Sequence, residues 1–146
     1  MTDLDRFAKQ RMTDAGHLYT RGRQLVLQTL AALGAPATIP TILAAEPALV
    51  QSSLYRNLSV LADAGLVRRV DVGDDRAFFE LSELVTNDHH HHLVCRSCST
   101  VVDITLPTRT EKTLERVFHD AADESGFTIE DHRLDLVGLC AACGSN

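Results

Sequence analysis

The residues best suited to chemistry lie in the last third of the chain, where all four cysteines form two Cys-x-x-Cys pairs, Cys95/Cys98 and Cys140/Cys143. Such a pair occupies a tight turn and presents two thiolates to one tetrahedral ion at Zn–S distances of ~2.3 Å. The pairs are separated by 41 residues, so they can share an ion only through the tertiary fold, which that ion would staple. Four thiolates leave no open coordination position, so the expected zinc is structural and not catalytic. The competing use of paired cysteines is disulfide or redox chemistry. Neither an oxidising compartment nor a thioredoxin-like context is indicated for this chain.

Immediately before Cys95 runs His89-His90-His91-His92. An internal run followed by strand residues is no affinity tag, and the competing reading is a solvated polar linker. On an extended segment alternate side chains point to opposite sides, so His90 and His92 can serve one ion, and His89 and His91 another. Carboxylates able to complete such sites are Glu80, Glu83, Asp103 and Glu111, and His132 precedes the last strand. Mixed imidazole and carboxylate donors suit Zn²⁺, Fe²⁺ or Mn²⁺ and bind reversibly.

These ligands need a scaffold, and the pattern supplies two halves, 1–84 and 85–146. In the first, residues 3–15 read as a helix ended at Gly16. A second helix carries Leu25, Leu27, Leu30 and Leu33 from a Thr20 cap to Gly34. Thr38 caps a third through Ile42 and Ala45, and Ser52 or Ser53 a fourth with Leu54, Leu58, Leu61 and Ala62 on one face and Gly65 at its end. Strands 66–72 and 77–81 follow, joined by Gly73-Asp74-Asp75 as a hairpin. Helices followed by a hairpin are the order of a winged helix-turn-helix. The fourth helix would enter a DNA major groove, with Gln51, Ser52, Ser53, Tyr55 and Arg56 outward; core packing is the competing role for Tyr55. A small α/β module without ligand has the same element order.

Residues 82–88 read as a polar hinge, 93–95 and 101–104 as strands, 110–122 as an amphipathic helix bearing Leu114, Val117 and Phe118, and 133–139 as a final strand. So little structure cannot bury a stable core alone, and pairing with a second copy is expected. The fold class is α+β.

Net charge is −6. Residues 1–86 carry 9 Lys/Arg against 10 Asp/Glu and residues 87–146 carry 5 against 10, so the acidity belongs mostly to the second half and DNA binding by the first is permitted. The sequence contains no apolar run of the ~20 residues a membrane span needs. The N-terminus has no apolar core of a secretory signal, and a cytoplasmic location is expected.

Together, HHHHLVCRSC, CST-VVDI and GFTIEDHRLDLVGLCAAC resemble the C-terminal half of the ferric uptake regulator family, and TRGRQLVLQTL, SSLYRNLSVLADAGLVRRV and RAFFEL its DNA-binding half. The resemblance implies a homodimeric repressor that binds double-stranded operator DNA when loaded with metal and controls metal-uptake or stress genes. It implies structural zinc at Cys95, Cys98, Cys140 and Cys143, and a regulatory Zn²⁺ or Fe²⁺ (or Mn²⁺) site of Glu80, His90, His92 and Asp103. It implies a further site of His89, His91, Glu111 and His132, and DNA contacts from Arg23, Tyr55 and Arg56 beside Ser52 and Ser53. Where many members place a sensor histidine before the third helix, this chain has Pro36-Ala37-Thr38. His17 is the substitute in that half, and Glu83 competes with Glu80 as hinge ligand. An iron-dependent peroxide sensor of the same family uses the same ligands; a zinc hydrolase lacks any catalytic histidine spacing here.

Overall fold

The computed structural model describes residues 1–71 and 76–144 and divides into two compact units, Met1–Asp88 and His89–Asn146. In the first, α1 (Asp3–Asp14) opens on a capping box between Thr2 and Asp5, and buries Asp5, Ala8 and Met12 at helical spacing. Helix α2 (Arg21–Leu33) is capped by Thr20 and closed by Gly34 at φ 64°, a left-handed turn that suits a residue without Cβ. Helix α3 (Ile39–Ala45) is capped by Thr38. Helix α4 (Gln51–Asp63) buries Leu54, Leu58 and Leu61 against α2 and α3.

The cap of α4 differs from expectation. Val50 is the N-cap with no side-chain hydrogen bond, and Ser53 sits inside the helix donating its hydroxyl to the Val50 carbonyl. The helix begins two or three residues early, and Leu54 lies on its buried face. Ala62 is exposed, and Ala64 takes the next core position. Strands β1 (Val67–Asp71) and β2 (Ala77–Leu81) pair antiparallel, Val67 opposite Leu81 and Asp71 opposite Ala77. Leu66 belongs to the core and not to the ladder, and the expected Gly73-Asp74-Asp75 turn lies outside the described residues.

The expected hinge contains a helical turn, α5 (Glu83–Thr86), ended by Asn87 at φ 54°. Ser82 ties its start to the preceding helix by donating its hydroxyl to the Gly65 carbonyl at 2.6 Å. Beside that contact, Arg11 donates to the Ala64 carbonyl at 3.2 Å and His17 meets Asp63 at 2.7 Å, while the Tyr19 hydroxyl donates to Asp5 at 3.0 Å. Those three contacts fasten α1 to the end of α4 and to the start of α2.

The second unit is a three-stranded sheet in the order β4-β3-β5, with β3 (His91–Cys95) central. β4 (Val101–Ile104) runs antiparallel to it and β5 (Asp135–Gly138) parallel. The parallel return requires a crossover, supplied by α6 (Thr108–Glu124). This helix starts two residues earlier than its apolar spacing predicts, and the last strand is shorter at both ends. None of Leu114, Val117 and Phe118 is buried. A final turn, α7 (Ala141–Gly144), carries the last cysteine.

Candidate metal centres and nucleic-acid surface

The second unit converges its chemistry on β3. Cys95 ends that strand, and the turn after it is closed by the Ser99 N–H donating to the Cys95 carbonyl at 2.9 Å. Cys140 directly precedes α7 and Cys143 lies within it, and the Cys143 N–H donates to the Cys140 carbonyl at 3.1 Å. All four sulfurs lie within 4.8 Å of one another, with Cys98 Sγ 3.8 Å from Cys140 Sγ. A zinc tetrahedron with ~2.3 Å arms has edges of about 3.8 Å. None of the four is in a disulfide. Backbone N–H groups of Cys98 and Cys140 bring the Cys95 thiol down to about 6, and the Thr100 hydroxyl lowers that of Cys98. The Cys143 thiol is pushed the other way, up to about 11, by its neighbouring cysteines, so Cys95 and Cys98 are the pair poised as thiolates.

The strand alternation separates the histidines as expected. On one side, His91 Nε2 is 2.7 Å from Glu111 Oε1, His132 Nε2 is 3.2 Å from Glu111 Oε2, and His89 Nε2 is 3.2 Å from His132 Nε2. Glu111 comes from the first turn of α6 and His132 from the segment before β5. Edges around a first-row ion with ~2.1 Å arms are about 3.0 Å in an octahedron and about 3.4 Å in a tetrahedron. Burial pushes the Glu111 carboxyl up, but the His91 hydrogen bond and charge pull it below its ordinary value, so it stands ready as an anionic ligand.

On the other side, strand register does the positioning. His92 sits opposite Asp103 on β4 and Asp135 on β5. Its Nε2 lies 3.5 Å from Asp103 Oδ1, with His90 Nε2 3.8 Å from the same oxygen. Asp135 Oδ1 lies 2.9 Å from His92 Nδ1. A carboxylate there holds the proton on Nδ1 and leaves the Nε2 lone pair for a metal. Asp135 was missed from the sequence, because only the parallel β3–β5 register brings it to His92. Its signal was an acid among the alternating apolar residues of the last strand.

Glu80 and Glu83 belong to the first unit, where Arg68 Nη2 is 2.7 Å from Glu80 Oε1 and Arg68 Nη1 is 3.6 Å from Glu83 Oε1. His17 is engaged with Asp63 in that same unit.

The outward face of α4 carries Gln51, Ser52, Ser53, Tyr55 and Arg56, all exposed, with Tyr55 at 56%. Tyr55 is therefore not a core residue. Arg23, at the start of α2, is half-buried and donates through Nε to Asn57 of α4 at 3.3 Å.

A model of the "Ferric uptake regulator family" matches residues 14–137. Among relatives, the chain is similar to the peroxide operon regulator of Bacillus subtilis (strain 168), 34% identical over 97 residues, or 66% of this chain and 61% of that protein. The matched stretch thus spans less than two thirds of that relative's length. The crystal structure of the ferric uptake regulator of Vibrio cholerae superimposes with a TM-score of 0.68 at 27% identity, covering 90% of this chain and 98% of that one. A zinc-bound manganese uptake regulator does so with a TM-score of 0.59 at 26% identity, covering 91% and 98%.

Proposed function

The chain belongs to the ferric uptake regulator family, and on that premise we propose that it is a metal-gated transcriptional repressor that binds operator DNA as a homodimer. The observation that carries the proposal is the convergence of separate donor sets on one strand: four thiolates at one end of β3, and histidines with carboxylates on both of its sides. The four-cysteine set suits structural zinc, as its edge length and the lowered thiols of Cys95 and Cys98 support. The harder sets, His90, His92 and Asp103 on one side and His89, His91, Glu111 and His132 on the other, suit a reversibly bound Zn²⁺, Fe²⁺ or Mn²⁺.

Glu80 enters the regulatory site on the strength of the resemblance alone. On that resemblance Glu80, His90, His92 and Asp103 would hold the metal, which would supply the Lewis acidity that draws a carboxylate of the first domain to imidazoles of the second. Arg68 donates through both Nε and Nη2 to the same Glu80 oxygen, Oε1, at 3.1 and 2.7 Å, and so orients that carboxylate. Fixing the two DNA-binding domains of a dimer at one spacing restricts them to the arrangement that fits successive major grooves. A difference in affinity of only ~1–3 kcal/mol between arrangements makes a usable switch. DNA is met by α4 through Tyr55 and Arg56, flanked by Ser52, Ser53 and Arg23. A cytoplasmic location accompanies that target, and no described helix is long and apolar enough to cross a membrane.

The second copy is called for by the apolar surface of the second unit. Leu93, Val102 and Leu136 lie side by side in register on one sheet face, and 41%, 50% and 53% of each is exposed. Pairing of two such units is the economical way to remove that surface from water.

The test is to titrate the zinc-loaded protein with Zn²⁺, Fe²⁺ and Mn²⁺ against the duplex it selects from a randomised pool. Binding that rises with one metal and reverses with a chelator supports the proposal; binding indifferent to every metal overturns it. The 34% identical peroxide operon regulator favours a second reading, in which bound iron makes the protein peroxide-responsive. Release from DNA by peroxide at constant metal separates that reading from simple metal sensing. A hydrolytic role finds no open position in the thiolate set.

A further inference from the structure

We propose that Asn57, with Gly22 beneath it, is a positioning residue that holds Arg23 as a phosphate clamp locked to the register of α4. The inference rests on the placement of α4 in DNA given above and adds to it the part played by α2. Arg23 is the third residue of α2, and its guanidinium is fixed from two sides: Nε donates to Asn57 Oδ1 at 3.3 Å and Nη1 donates to the Leu18 carbonyl at 2.5 Å. An arginine Nε can only donate, so the oxygen of the Asn57 amide must face it, which turns the amide nitrogen the other way. There it meets Gly22: a Cβ built at that position would lie 3.1 Å from Asn57 Nδ2. Gly22 is helical and has an ordinary backbone conformation, so its lack of a side chain serves the close approach and not a turn.

A guanidinium has five N–H bonds. Two are committed here, and the other three have no partner among the described residues. Arginine tied down by two contacts loses little further freedom on meeting an anion, and its planar fork suits a phosphate. Asn57 follows Tyr55 and Arg56 directly in α4, so the amide sets the distance between groups on the groove side of α4 and the clamp on α2. A shift of α4 along the groove would carry the clamp with it. Arg23 thereby reports backbone position while Arg56 meets the groove, a division of labour between positioning and reading.

The experiment uses the metal-loaded dimer and the duplex it selects from a randomised pool. Affinities are measured across a salt series for Arg23→Ala, Asn57→Ala, their double variant and Gly22→Ala, with thermal unfolding and metal content recorded for each. Arg23→Ala should lower the dependence of log K on log salt by about one per half-site. Asn57→Ala should weaken binding about threefold to tenfold and reduce the slope in the same direction, while adding nothing in the Arg23→Ala background. Gly22→Ala should weaken binding without lowering the unfolding midpoint, because alanine favours a helix over glycine; that combination separates positioning from folding. Equal losses from Asn57→Ala with and without Arg23, an unchanged salt slope, or full affinity in Gly22→Ala would each overturn the inference. If Arg56→Ala and Arg23→Ala both bind normally, the placement of α4 on DNA fails, and the inference falls with it.

Discussion

Replacing Cys140 by serine should cost the protein its structural zinc, and the size of the loss can be worked out. Four thiolates share an apparent binding free energy of ~10–16 kcal/mol at such sites, so one is worth ~2.5–4 kcal/mol, or about 100- to 1,000-fold in affinity. Little else holds that end of the unit. The only described apolar residues of the second unit that are buried are Val94 and Cys95, and burying a valine side chain contributes only ~1.5–3 kcal/mol. Ordering the backbone costs ~1–2 kcal/mol for every residue. The purified Cys140→Ser protein, dialysed against a mild chelator, should therefore lose about one zinc per chain by elemental analysis. In the ultracentrifuge it should dissociate at concentrations where the parent remains a dimer. A variant that keeps its zinc at parental affinity and sediments as the parent does would refute the reasoning, and the four cysteines would need another role.

Four further outcomes are expected. Replacing His90 and His92 together with alanine should leave a folded, zinc-containing dimer whose operator binding no longer responds to added metal, read by fluorescence anisotropy. Arg56→Ala should weaken operator binding by ~1–3 kcal/mol, with metal content unchanged; equal affinity would remove α4 from the groove. Leu136→Lys should shift the protein toward monomer in sedimentation without loss of zinc. The Asp5 carboxyl, held at about 2 by hydrogen bonds from Thr2, Gln24 and Tyr19, titrates below its ordinary value of 3.8. Its contribution to stability is thus fully present above pH ~4 and lost as pH falls toward 2. Asp5→Asn should flatten the acid-unfolding profile over that interval, and an unaltered profile would count against the assignment.

Legibility from the sequence followed the range of the interaction concerned. The Cys-x-x-Cys turns and the alternation of His89 to His92 are local, and both appear in the second unit as their spacing implies. Thr20 and Thr38 cap α2 and α3 because each has a free backbone N–H within one turn. Ser52 and Ser53 looked equally suitable, yet the cap is Val50, with Leu54 on the buried face, so the side-chain preference was overridden. The role of Asp135 depends on a parallel pairing with β3 across a crossover of some 40 residues, and no local pattern encodes that register. The same holds for Asn57, whose partners Gly22 and Arg23 are over 30 residues earlier.

The crowding of donors onto β3 has a consequence for the order in which the protein is assembled. His91, His92 and Cys95 occupy one five-residue strand, so a slip of one residue in its pairing would exchange the two sides for all of them at once. The thiolate cluster grips the strand's far end and pins it against Cys140 at the edge of β5. Zinc held there would act as a ruler for the imidazoles upstream. Loading should be hierarchical: zinc first, during folding, and the exchangeable ions only afterwards. Stripping the exchangeable ions should leave zinc in place, whereas stripping zinc should abolish the affinity of both histidine clusters together.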